Sequence, residues 1–111
     1  DPCCGAGATL IAGVHVIRKQ LEHCDPPKNY QNHILVVAQD VDEIVGLMCY
    51  IQISLLGLAG FIKIGNSITD PISTDDSSEN YWYTPMYFSD VWSTRRMLRQ
   101  INKLFGKGDD E

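Results

Sequence analysis

At 111 residues and 12.4 kDa, with 44% hydrophobic residues, the chain is long enough for one domain with a genuine core, and a disordered tail is excluded. A formal net charge of -5 and a pI near 5.0 exclude a surface that binds nucleic acid all over, because neutralising phosphates needs concentrated Lys and Arg. Any DNA contact must be local or supplied by another chain.

In chain order, Thr9, Leu10, Val14, Ile17 and Leu21 fall at helical spacing with Arg18, Lys19 and Glu22 on the other face, which predicts an amphipathic helix over 8–23. Cys24-Asp25-Pro26-Pro27 stops it. Residues 34–38, Ile-Leu-Val-Val-Ala, form a continuous apolar run ending at Gln39-Asp40, the pattern of a strand buried on both faces. A second helix is expected over about 41–56, ending at Gly57, and a second strand over 61–64, closed by Gly65-Asn66. Residues 69–80, rich in Asp, Ser and Pro, read as a long exposed loop. Aromatic residues dominate 81–88, and 91–105 resumes a helical pattern before a charged tail. Loop, helix, strand, helix, strand is the order of a parallel sheet with crossover helices, an α/β fold.

The longest apolar region, 44–64, is interrupted by Gln52, Ser54, Gly57, Gly60 and Lys63, so it reads as helix then strand and not as a membrane span. These residues show no basic start leading into an apolar core and a cleavage site. Cys3, Cys4, Cys24 and Cys49 lack the density of a secreted disulfide scaffold. The expectation is a soluble, cytoplasmic protein with reduced thiols and no membrane partner.

Ligands of an open parallel sheet bind beyond the carboxyl ends of its strands, and three features fall at such ends. Asp1-Pro2-Cys3-Cys4-Gly5-Ala6-Gly7 places two glycines before a helix, where they let a ligand approach backbone. Asp40, ending a strand, is positioned to accept hydrogen bonds from two ribose hydroxyls. Asn66, ending the next strand, can donate and accept at once, as an adenine edge requires. Each has a purely structural alternative: two glycines make a tight turn, Asp40 caps the following helix, and Asn66 tolerates a turn.

Residues 1–7 resemble the S-adenosylmethionine loop of amino-methylating DNA methyltransferases, whose usual form is Asp-Pro-x-Cys-Gly-Ser-Gly. Ala38-Gln39-Asp40, Leu47-Met48, Leu56-Gly57 and Ile64-Gly65-Asn66-Ser67 are similar to the next stretch of the N-6 adenine methylases, including the modification subunits of type I restriction systems. A dinucleotide-binding loop fits less well, since Leu10 stands where the third glycine of Gly-x-Gly-x-x-Gly belongs. The resemblance implies a Rossmann-like S-adenosylmethionine-dependent methyltransferase fold. Asp1, Pro2, Cys3, Gly5 and Gly7 would hold the methionine part and backbone of the cofactor, Asp40 its ribose, and Val41 and Asn66 its adenine. It also implies methylation of adenine N6 in DNA within a restriction-modification or mobile-element system, with a partner subunit or a second copy. Residues 1–70 would form the cofactor half, 71–80 a loop, and 81–111 an aromatic strand and terminal helix.

Two departures from the family pattern qualify this. Its Asn-Pro-Pro-Tyr or Asn-Pro-Pro-Phe catalytic loop, which holds the target amino group and stacks an aromatic ring on a flipped base, is absent. Thr84-Pro85-Met86-Tyr87 is the degenerate counterpart, with Thr84, Pro85 and Tyr87 as the candidate catalytic positions. The strand that feeds the glycine loop is also missing ahead of Asp1, so the natural protein is expected to extend N-terminally or to receive that strand from another chain. The alternative function is a non-catalytic, methyltransferase-like interaction or regulatory module.

Other features carry paired readings. Arg95, Arg99 and Lys103 share a helix face that reads as a phosphate contact or as a solvated face balanced by Asp109, Asp110 and Glu111. Tyr81, Trp82, Tyr83, Tyr87, Phe88 and Trp92 read as a base-stacking platform or as core and interface. His15, His23 and His33 lack metal-ligand spacing, so no metal is expected.

Overall fold

The computed structural model describes residues 1–105. It is a mixed α/β arrangement of three helices and a three-stranded sheet: α1 (Ala8–Glu22), β1 (Leu35–Asp40), α2 (Glu43–Leu55), β2 (Ala59–Ile64), β3 (Tyr81–Tyr83) and α3 (Asp90–Leu104). Short 3-10 turns occupy Tyr30–Asn32, Ser78–Asn80 and Pro85–Phe88. Every helix and strand expected from periodicity is present, with ends displaced by at most two residues.

β1 and β2 pair in parallel, Leu35 opposite Ala59 through Asp40 opposite Ile64, and α2 crosses between them. The all-parallel expectation fails at β3, which pairs antiparallel with β2, Phe61 opposite Tyr83 and Lys63 opposite Tyr81. The connection from β2 to β3 contains no crossover helix, so the chain turns back instead of returning to the start of the sheet.

One face of the sheet presents Val36, Ala38 and Ile62 to Cys49 and Ile53 of α2 and to Val14 of α1; these side chains form the core. Gly46 and Gly60 make close approach possible there. A Cβ on Gly46 would overlap Ile64, and one on Gly60 would overlap the carbonyl of Val36. Asp42, not Asp40, caps α2, its carboxylate accepting from the Val45 amide at 3.2 Å. Among the described residues, no helix is long and apolar enough to cross a membrane.

The outer edge of β1 is shared with the first residues of the chain. The amino group of Asp1 donates to the Val37 carbonyl at 2.8 Å, and the Asp1 carbonyl accepts from the Gln39 amide at 2.8 Å, the pattern of a parallel ladder. Beside the same edge runs an apolar groove of about 530 Å³, lined by Leu10, Val14, Ile17, Leu35 and Val37 among others.

Candidate functional site

The glycine loop sits at the carboxyl end of β1. Its course is fixed by the Asp1 rungs, by a 2.9 Å bond from the Cys4 amide to the Gln39 carbonyl, and by the Asp1 carboxylate, which accepts from the Cys3 amide at 3.0 Å. Gly5 and Gly7 have φ of 55° and 98°, left-handed conformations that explain why glycine stands at both. Gly7 has a second constraint: a Cβ there would lie 3.1 Å from the sulfur of Cys49. Cys4 and Cys49 are both buried and unpaired, and they form the floor of the loop. Burial, reinforced by the neighbouring Cys49 thiol, pushes the Cys4 thiol up to about 12, so this floor is neutral at physiological pH.

α1 begins immediately after Gly7 with no side-chain cap. Its first-turn amides and the positive end of its dipole therefore face the loop without a side-chain acceptor, the arrangement that favours an anionic group.

Asp40 joins this loop to the strand ends. One carboxylate oxygen accepts from the Gly5 amide at 2.9 Å and the other from the Asp42 amide at 2.9 Å. A carboxylate offers about four acceptor positions, so each oxygen retains one. The Gly65 amide donates to the Asp40 carbonyl at 2.9 Å, which brings the end of β2 alongside. Val41 is 70% exposed next to Asp40. Asn66 is exposed one residue beyond Gly65, its side-chain oxygen accepting from the Ile68 amide at 2.8 Å. That oxygen holds a turn, as the structural alternative expects, and the side-chain nitrogen makes no hydrogen bond among the described residues. Asp1, Pro2 and Cys3 are exposed on the same loop. The carboxyl edge of the parallel pair thus gathers Asp1, Pro2, Cys3, Gly5, Gly7, Asp40, Val41 and Asn66.

Thr84, Pro85 and Tyr87 are not part of this gathering. Because β3 runs antiparallel, it delivers Thr84 to the start of β2, about 13 Å along the strand from Ile64. Thr84 is fully buried; its hydroxyl donates to the Leu58 carbonyl at 2.7 Å and accepts from the Gly60 amide at 3.0 Å, while its own amide donates to the Gly60 carbonyl at 2.9 Å. Here the residue is a structural clamp with no free polar group. Pro85 opens the 3-10 turn Pro85–Phe88, and Tyr87 lies beneath the Arg96 guanidinium, 4.1 Å from its ring centroid.

The aromatic residues are divided between layers. Tyr81, Tyr83, Tyr87 and Phe88 cluster around Phe61, and Trp82 packs edge-on against Tyr50 across the sheet. Trp92 is buried and donates to the Gln31 carbonyl at 2.9 Å. Of the six, Trp92 is buried, Tyr81, Tyr83 and Tyr87 are half-buried, and Trp82 and Phe88 are exposed. On α3, Arg95 lies over Trp92, 5.1 Å from its centroid, while Arg99 and Lys103 are exposed. Asp109, Asp110 and Glu111 lie outside the described residues. Among the described residues, no three His, Cys, Asp or Glu side chains are grouped to hold a metal ion.

Sequence reading missed a polar pair on the sheet face opposite the core. Gln39 and Lys63 stand opposite each other in register, and both are 2% exposed. Lys63 pairs with Asp70 at 2.9 Å and with Asp76, and Gln39 donates to the Asp70 carbonyl at 2.8 Å. Tyr81 donates to Asp76 at 2.8 Å. The Lys63 bond, then that of Tyr81, hold the Asp76 carboxyl below its ordinary range. The loop is exposed along most of its length, as expected, and is also strapped to both parallel strands through Asp70 and Asp76. Its available signal was a lysine inside an apolar strand, followed by an Asp-rich segment.

Compared with protein-family models, curated proteins and solved structures, the chain matches none of them.

Proposed function

We propose that this chain binds S-adenosylmethionine at the carboxyl edge of β1 and β2, as the cofactor half of a Rossmann-like methyltransferase domain of the N-6 adenine DNA methylase group. The observation that carries the reading is the bond between the Gly5 amide and the Asp40 carboxylate, which joins the two elements whose resemblance was read separately in sequence. The residues fit the group chemically. The uncapped start of α1 suits the cofactor's carboxylate, and Asp1 suits its ammonium group. The unused acceptor positions of Asp40 suit two ribose hydroxyls, and Val41 with the free Asn66 nitrogen suits an adenine ring and its acceptor edge. The finer fold reading is supported by the β1-α2-β2 parallel unit and by the parallel rungs at Asp1; β3 departs from it.

When bound, the cofactor supplies an electrophilic methyl group on a sulfonium. The chain's own residues position it, and positioning is the main source of rate in such a transfer. Methylation of a DNA adenine would further require groups that hold the amino nitrogen. The burial and saturation of Thr84 favour the second reading, a cofactor-binding module without its own transfer activity. That module would serve a restriction-modification partner subunit or a DNA-bound assembly.

Isothermal titration with S-adenosylmethionine tests the first reading: micromolar binding is expected, and Asp40→Ala is expected to weaken it at least tenfold. Absence of binding by folded protein would overturn it. Transfer of labelled methyl to DNA by the purified chain would overturn the non-catalytic reading.

A further inference from the structure

Helix α2 inverts the usual pattern of a surface helix. Its inner face meets the sheet through Gly46, Cys49 and Ile53, as expected. Its outer face, the part most distant from the core, carries Ile44, Met48, Ile51 and Leu55, which are 73%, 48%, 54% and 83% exposed. Glu43 is the only charged residue of the helix. Exposed Gln52 and half-buried Ser54 interrupt the surface beside this face, but the four side chains themselves form an unbroken apolar stripe, and such a stripe is stabilised in water by being covered.

The spacing of the four side chains identifies their cover. Steps of four, three and four residues form a seam of the kind that interlocks helices knobs-into-holes, and the series reads the same from either end. Two such helices placed antiparallel about a twofold axis bring Ile44 against Leu55 of the other copy and Met48 against Ile51. A parallel arrangement would set the two Glu43 carboxylates and the two positive helix ends side by side; the antiparallel one separates them. At on the order of 100 Å² of apolar surface per side chain, the four residues bury about 800 Å² in a symmetric pair, which is in the range of weak, transient association.

We infer that the outer face of α2 is a self-association surface, on which a second copy of this chain docks antiparallel to form a weak, concentration-dependent dimer. This goes beyond the cofactor reading and does not depend on it.

Sedimentation velocity over a concentration series tests the inference. The protein is expected to pass from monomer to dimer with a dissociation constant of about 1–100 µM. Ile51→Glu is expected to raise that constant at least tenfold with an unchanged far-ultraviolet circular dichroism spectrum. Leu55→Glu, at the most exposed position of the seam, is the second variant should Ile51→Glu fold poorly. With exposed Cys3 and half-buried Cys24 replaced by serine, mixed Met48→Cys and Ile51→Cys chains are expected to cross-link to each other in preference to themselves. A monomer throughout the series would overturn the inference, as would a dimer indifferent to both charged variants. A monomer that instead adsorbs to phosphatidylcholine vesicles through this face would also overturn it, in favour of a lipid occupant.

Discussion

The two ends of β2 present opposite kinds of polar chemistry. At its carboxyl end, Gly5, Asp40 and Asn66 meet with hydrogen-bonding capacity left over: an uncapped helix start, two unused carboxylate positions and a free amide nitrogen. At its amino end, Thr84, Gly60 and Leu58 satisfy one another completely and are buried. Residues that resemble a motif at both ends therefore separate into an open group, the proposed site, and a closed strut by whether their polar groups are already spent. Sequence order alone does not make that distinction, because saturation depends on which strand pairs with which.

The largest expected effect tests the strut. Thr84→Val leaves the buried Leu58 carbonyl and Gly60 amide without their partner, so a loss of about 3 kcal/mol in urea unfolding is expected, with affinity for S-adenosylmethionine unchanged in the folded fraction. A large loss of affinity with little loss of stability would reverse the assignment of the two ends. Gly7→Ala is expected to cost about 2 kcal/mol, because it combines a left-handed backbone with a contact against Cys49; unlike Thr84→Val, it is also expected to weaken cofactor binding. Asp40→Ala should cost at least tenfold in affinity, read by titration calorimetry.

The smallest effect concerns the strap on the opposite sheet face. The Asp76 carboxyl is lowered by its bonds from Lys63 and Tyr81, so its contribution to stability is present above the ordinary carboxylate range and is lost as pH falls through its folded value, below about pH 4. Lys63 is raised chiefly by its bond to Asp76, so its contribution is present below about pH 10 and is lost as pH rises through its folded value. Midpoint against pH is expected to be flat from about pH 4 to about pH 9, above which ionisation of Cys4 and Cys49 in the unfolded chain also lowers it, and Lys63→Met should shrink the acid shoulder while leaving that thiol-driven fall in place.

Much of this arrangement was legible in the chain itself. Leu10 and Val14, the apolar run before Asp40, and Gly57 after α2 announced helix, strand and stop through local periodicity and backbone conformation, which neighbours in sequence determine. The antiparallel return of β3 was not legible, since strand direction depends on a connection whose path is set by distant contacts. Lys63 and Gln39 were hidden for the same reason: each looks like an interruption of an apolar strand until register sets them opposite each other beneath the Asp70 loop. Among the site residues, Asp40 and the glycines were identifiable individually, but their hydrogen bond to each other spans 35 positions. The outer seam of α2 was written in plain sight as an apolar helix, yet only its exposure distinguishes it from core.

The thiol floor beneath the glycine loop gives the molecule a built-in chemical clock. Cys3 stands in solvent, whereas Cys49 lies under Gly7, shielded and protonated. A thiol-directed reagent will therefore modify Cys3 at once and Cys49 only when the loop lifts, so the lag between the two modifications measures how often the loop opens.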